Sequence, residues 1–217
     1  MPKSTHGTEI PVSVYLTNRI YSPSMKNYAQ ELMMFVLDIA QTFLVAFAFF
    51  LIIYGFIIQP HKVSGESMES TLHDQELILT NKIIYRFREP QRGDVITFKS
   101  KNDASKDFIK RIIGLPNEKI EIGNNTVKVY NAEFPNGFYL QEPYLDQNNR
   151  TEPKSFFRLD TAIEIPEGEY MVMGDNRQNS YDSREWGSIS KDNIIGLAWI
   201  VYWPLDRLGF QASYDEY

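Results

Sequence analysis

Ser67 lies in SGESMESTL, residues 64–72, a stretch in which one hydroxyl is surrounded by small and polar residues and followed by Met68. A serine hydroxyl is a weak nucleophile until a base takes its proton, so any chemistry here depends on a partner. The sequence offers three. His73, with Asp74 or Asp94, would complete a Ser-His-Asp set, although a lone histidine near a strand start is ordinarily a surface residue. Lys191 stands in a Ser188-x-x-Lys191 spacing like that of penicillin-binding enzymes, but the companion SDN and KTG motifs are absent. The third is Lys110, within DFIKRIIGLP. Strand alternation puts Phe108, Lys110 and Ile112 on one face and Ile109, Arg111 and Ile113 on the other. Burial among apolar neighbours disfavours an ammonium and lowers a lysine pKa of about 10.4 by up to ~3–5 units, which is what a general base near neutrality needs. A half-exposed strand lysine that reaches for solvent has the same pattern, and periodicity does not separate the two. A Ser/Gly/Glu-rich stretch such as 64–72 also suits a plain linker.

GDNRQNSYDSREWG, residues 174–187, is a second polar concentration. Its Asp175, Arg177, Asp182 and Arg184 can pair among themselves. A short loop that carries its own ion pairs and hydroxyls is better explained as a rigid wall beside a site than as a solvated turn.

These residues need a scaffold, and the chain supplies two textures. Residues 35–58, FVLDIAQTFLVAFAFFLIIYGFII, hold one charge, Asp38. As a helix, 24 residues extend about 36 Å, enough to span a hydrocarbon core of about 30 Å. A buried core helix would be shorter or amphipathic. A cleavable leader would have an apolar region of only ~7–15 residues after a short basic start. The small-x-small tripeptide Ala46-Phe47-Ala48 lies mid-run, out of reach of water. Residues 35–59 are therefore expected to be a transmembrane helix, preceded by a flexible tail over 1–34. Arg19 and Lys26 before the span against Lys62 after it lean toward a cytoplasmic N-terminus.

From residue 60 on, short β-rich runs alternate with turn residues: Leu77–Thr80, Asp94–Phe98, Phe108–Ile113, Lys119–Ile122, Thr126–Tyr130 and Ile194–Trp203. Gly123-Asn124-Asn125 between two alternating runs predicts a hairpin turn, because Gly and Asn tolerate positive φ. Residues 60–217 are thus expected to form a mainly β, antiparallel domain, with a looser insertion at about 123–168. A net charge of −6 and a pI near 5.2 disfavour a nucleic-acid partner, which needs clustered Lys and Arg. The absence of cysteine excludes disulfides, thiolate catalysis and Cys-bound metal, and three histidines make a His-rich metal site improbable.

SGESMESTL, RGDVITF at 92–98, FIKRIIGLP at 108–116 and GDNRQNSYDSREWG, in that order after an N-terminal span, resemble bacterial type I signal peptidases, the leader peptidases with a Ser-Lys dyad and a signal-peptidase/LexA-like β fold. The resemblance covers roughly residues 60–205. It implies Ser67 as nucleophile and Lys110 as general base. It makes Ser180 the serine that orients the lysine, and Asp182 with Arg184 an ion pair holding the last motif, supported by Asp175 and Arg177. The Ser67 N–H would donate to the oxyanion. Gly65 stands where other members place a second hydroxyl donor, and Ser70 stands where the family usually has proline. Met68 and Ile112 are expected to line shallow pockets for small side chains. The implied activity is removal of signal peptides from exported preproteins at the outer face of the cytoplasmic membrane, without metal or cofactor. The implied partners are preproteins, the lipid bilayer and, in principle, export machinery. Two other functions fit the same residues: a LexA-like Ser-Lys protease acting on itself or one partner, and a catalytically inactive envelope scaffold.

Overall fold

The computed structural model describes residues 25–210 apart from 102 and 104; the remainder of the expected 1–34 tail lies outside the described residues. The chain divides into two compact units, Met1–Ala48 and Phe49–Tyr217. Helix α1 runs Met25–Ile52 and is followed by a π-helical turn, Ile53–Ile57. It begins ten residues before the expected span because Met25–Met34 is free of proline after Pro23 and rich in good helix formers. The segment Tyr28–Ile57 is long and apolar enough to cross a membrane. Its Phe43, Leu44 and Phe47 are all exposed. The apolar run also ends sooner than expected. Ile58 and Gln59 belong to strand β1 (Ile58–Lys62), paired with Asn81 and Thr80 of β2 (Leu77–Asn81).

The rest is antiparallel β, as the alternation predicts. β3 (Val95–Lys99), β4 (Asp107–Gly114), β5 (Lys119–Gly123), β6 (Thr126–Tyr130) and β11 (Ile194–Trp203) match the expected runs to within a residue or two. The larger sheet has the order β1-β2-β11-β3-β4-β9-β10, with β12 (Gly209–Phe210) pairing β11. β9 (Glu169–Met173) and β10 (Ile189–Ser190) were not foreseen. β9, which delivers the 174–187 loop, is buried from Tyr170 to Met173 and so shows no alternation to read.

Within the expected insertion over 123–168, strands join β5 in a second sheet, while residues 140–162 carry no helix or strand. The order of this sheet is β7-β6-β5-β8, with β7 at Phe138–Tyr139 and β8 at Ile163–Glu164. The boundary at 123 would cut the β5–β6 hairpin at its turn. There Asn124 and Asn125 take φ of 50° and 64°, the left-handed pair that a two-residue hairpin connection requires. Ile113, Ile120, Ile122, Val127, Val129 and Met173 pack beneath this sheet. A second core joins Val63, Met68, Leu72, Ile78 and Val201, and a third joins Ile96, Phe98, Ile112 and Val172.

β4 is the strand that positions the chemistry. One edge pairs β3 over Asp107–Arg111, from Asp107↔Lys99 to Arg111↔Val95. The other edge meets β9 only from Arg111 onward. Residues 107–110 therefore have no ladder partner on that side among the described strands, and they face the 62–68 stretch across a cleft.

Candidate active site

Ser67 is held in a tight turn, not in a linker. Thr71 N and Leu72 N donate to Met68 O at 3.0 and 2.8 Å, and Glu69 N donates to Glu66 O. Val63 N and Gln75 N tie the two ends of the segment through Glu76 O and Val63 O. Met68 and Leu72 are buried in the core, so burial of two large side chains, about 1.5–3 kcal/mol each, fixes the backbone on which Ser67 sits. Gly65 has φ of +87°, which a side chain would strain, and its N–H donates to Asp74 Oδ1 at 2.8 Å.

Lys110 is 5 % exposed. Phe108 and Ile112 flank it on β4 within one apolar cluster, and its cross-strand partner is Ile96. Burial among them pulls the amine down to about 8, against the opposing pull of Asp182 and Asp175. Nζ donates to Ser67 Oγ at 2.6 Å and to Ile109 O at 3.0 Å. Of the three bases that the sequence offers, this is the one in contact with Ser67. His73 is half-exposed and pairs with Glu69. Ser188 donates to Glu169, while Lys191 pairs with Glu89, so their spacing brings nothing together. A neutral amine 2.6 Å from a hydroxyl can accept its proton, and a largely desolvated one is neutral in appreciable fraction at mildly alkaline pH.

The 174–187 loop forms a wall, with pairings that differ from those expected. Asp182 and Arg184 do pair, through two nitrogens at 2.9 and 2.8 Å, both fully buried. Burial would raise the Asp182 carboxyl, but the Arg184 guanidinium overcomes this and holds it below the ordinary value. Arg177 supports that pair through its backbone, its carbonyl accepting from Arg184 Nη2 at 2.6 Å, but the Asp175 carboxylate and the Arg177 guanidinium pair elsewhere. Asp175 takes a bidentate bond from Arg111, at 2.9 and 2.7 Å. Arg177 pairs with Glu142 and donates to Thr151. A buried guanidinium needs a geometrically matched carboxylate, and the fold delivers those carboxylates from distant segments.

Ser180 also differs from expectation. Both Lys110 hydrogen bonds go elsewhere, and Ser180 is fully buried. It lies close enough to Asp182 to help keep that carboxylate ionised. Gly174 explains the crowding here. A Cβ on it would lie 2.3 Å from both Ser180 Oγ and Ser67 O, so the wall approaches the turn of Ser67 as closely as a bare backbone allows.

A cleft of about 280 Å³ opens beside Ser67 and Lys110, and Met68, Val63, Phe108 and Ile109 line it. Ile112 does not. It shares the lysine's face but lies two residues deeper, fully buried beside Val172. Arg111, Glu142, Tyr144 and Thr71 are the site's supporting residues that the sequence reading missed. For Arg111 a signal existed: alternation puts it between Ile109 and Ile113, and a charge buried among isoleucines requires a partner.

A hydroxyl set against a desolvated amine is an arrangement that can support nucleophilic serine chemistry, and comparison with known proteins gives the class and the family. Residues 36–203 match the model of "Signal peptidase, peptidase S26". The chain is 34% identical to signal peptidase IB of Staphylococcus aureus (strain MRSA252), over 85% of this chain and 96% of that protein. It is 33% identical to the probable signal peptidase I-2 of Synechocystis sp., over 83% of this chain and 79% of that protein. A crystal structure of a signal peptidase I from Enterococcus faecalis V583 aligns with 51% of this chain and 97% of its own at 32% identity and a TM-score of 0.41. The chain belongs to the S26 signal peptidase family, and it is a signal peptidase I, a serine peptidase.

Proposed function

We propose that this protein removes signal peptides by a Ser67–Lys110 dyad. The observation that carries the reading is the 2.6 Å contact between Lys110 Nζ and Ser67 Oγ, made by an amine that burial has brought down to about 8. Neutral Lys110 takes the Ser67 proton as Oγ adds to the scissile carbonyl. The resulting ammonium returns the proton to the departing amine as the C–N bond breaks, leaving an acyl ester on Ser67. Water, deprotonated by the same lysine, then adds to the ester, and Ser67 leaves with the proton restored. The substrate lies extended along the unpaired edge of β4 at Asp107–Ile109, where main-chain hydrogen bonds hold it without regard to side chain. Val63, Met68 and Ile109 then receive small side chains.

The enzyme works at a membrane, with the 28–57 helix as its span, the N-terminus cytoplasmic and the β domain outside. Exposed Trp203, Leu205, Leu208 and Phe210 on the β domain support work beside a bilayer. The substrate's own apolar segment occupies the same bilayer, and confinement raises the effective concentration of scissile bond and site.

The test is incubation of the purified full-length protein with a secretory preprotein, with the new N-terminus sequenced. Cleavage after a small-x-small sequence is expected, together with a fall of at least ~10³-fold in Ser67→Ala and Lys110→Ala. Parental rates in either variant would remove the dyad. A parent that cleaves nothing would favour a scaffold.

A further inference from the structure

Three residues after Ser67 the backbone takes an unusual turn. Ser70 has φ of +71°, the left-handed region that non-glycine residues seldom occupy. A proline ring would hold φ near −65°, so the turn seen here is one that proline cannot form. A contact from far along the chain stabilises it. Ser70 Oγ donates to Tyr144 O at 2.8 Å, across 74 positions of sequence.

Tyr144 is itself immobilised on both sides. Its ring lies 4.0 Å from the Arg111 guanidinium, and its hydroxyl donates to Glu142 Oε1 at 2.7 Å. Arg111 pairs with Asp175, and Glu142 with Arg177. The next residue along the turn, Thr71, donates through Oγ1 to Asp175 and through its backbone N–H to Met68 O. Ser70 and Thr71 thus fasten the turn to the same buried ion pairs, and Met68 passes any shift to Ser67, whose carbonyl accepts from Asn176 N at 3.0 Å.

We propose that Ser70 is a positioning residue for Ser67: its hydroxyl bond to Tyr144 holds the left-handed turn that aims the Ser67 hydroxyl at Lys110. In this chain a tertiary hydrogen bond replaces the local constraint of a proline ring. The proposal rests on the Ser67–Lys110 reading.

The experiment compares the full-length parent, Ser70→Pro, Ser70→Gly and Ser67→Ala on one preprotein, measuring kcat, KM and Tm. Ser70→Pro should lose at least ~100-fold in kcat, the scale of a displacement of about 1 Å at a reacting atom. Ser70→Gly permits the same φ and removes the hydroxyl together with its Cβ. It should lose ~10-fold in kcat with KM within about twofold, at temperatures well below its Tm. Should Ser70→Pro fail to fold, Ser70→Gly decides the matter. A merely structural role would lower Tm and leave the kcat of the folded variant parental, and that result, or a Ser70→Pro enzyme with parental kcat, overturns the proposal. An inactive Ser67→Ala beside parental Ser70 variants would overturn this inference alone. An active Ser67→Ala would overturn the dyad and this inference with it.

Discussion

Gly174→Ala is the sharpest probe of how closely the wall fits the turn. The added methyl would lie 2.3 Å from Ser67 O and 2.3 Å from Ser180 Oγ, with Ser180 Cβ at 2.6 Å. Cβ contacts below 3.0 Å are essentially never found, so Gly174 and Ser67 must separate by about 0.7 Å, and one side of the contact is backbone with no rotamer to change. The Ser67 carbonyl also holds Asn176 N at 3.0 Å, so retreat stretches that bond as well. Overpacking of this kind costs about 1–3 kcal/mol of stability, or about 2–4 °C of Tm per kcal/mol in a chain of this size. The larger effect is on rate, since a misplacement approaching 1 Å at a reacting atom costs about 10²-fold. Gly174 does not line the cleft, so KM should stay within about twofold while kcat falls. Steady-state cleavage of a preprotein, with a thermal melt on the same sample, measures both. A Gly174→Ala enzyme with parental kcat would refute the claim that the 174–187 wall sets the position of Ser67.

The buried amine makes two further predictions. For the parent, kcat/KM should rise with pH and level off above about 8, where Lys110 is neutral; a flat profile across that range contradicts the base assignment. Between about 8 and 10.5 the unfolded chain binds the proton that the folded chain has lost, so stability rises with pH there and the charged lysine is a cost below it. Lys110→Met should therefore be inactive but more stable near neutrality, by about 0.5–2 kcal/mol in a melt, and the gain should shrink as pH rises toward 10.5. Asp182→Asn leaves the buried Arg184 guanidinium without its carboxylate and should cost ~3–5 kcal/mol in denaturant unfolding. Because the folded pKa of Asp182 is depressed from 3.8, its stabilisation is complete above 3.8 and is lost below that as pH falls through the lower folded pKa, so the variant's acid unfolding should be less steep.

Local chemistry made much of this molecule legible in advance. The 35–58 run holds a single charge and is apolar on every side from Phe43 onward, so its helix could be read from composition. The runs that became β3, β4, β5 and β6 alternate or are β-rich between turn residues, and the Asn124-Asn125 turn follows from which residues tolerate positive φ. That the 174–187 charges would pair was legible from their density in one loop, but the choice of Asp182 with Arg184 came from family likeness, since Asp175 and Arg177 stand at the same spacing and pair elsewhere. β9 was not legible, because burial on both faces erases the period that marks a strand. Nor were the partners of Arg111 and Arg177, since Asp175 and Glu142 are 64 and 35 positions away and only chain folding brings such groups together.

Lys110 shows the division most clearly. Its spacing was compatible with a snorkelling surface lysine or a desolvated base, and family likeness chose between them without a physical reason. The physical reason is tertiary: Ile96 across the ladder and Phe108 and Ile112 along the strand exclude water from the amine, while Met68 and Leu72 bury the turn that brings Ser67 to 2.6 Å. At Ser70 the sequence by itself showed only a missing proline. The fold decided what that means, because a left-handed turn is stabilised there by a carbonyl 74 residues away. Residue type and period, which act over a few positions, belong to the sequence. Desolvation and the pairing of buried charges depend on which distant atoms fill the surrounding space, and only the folded chain supplies them.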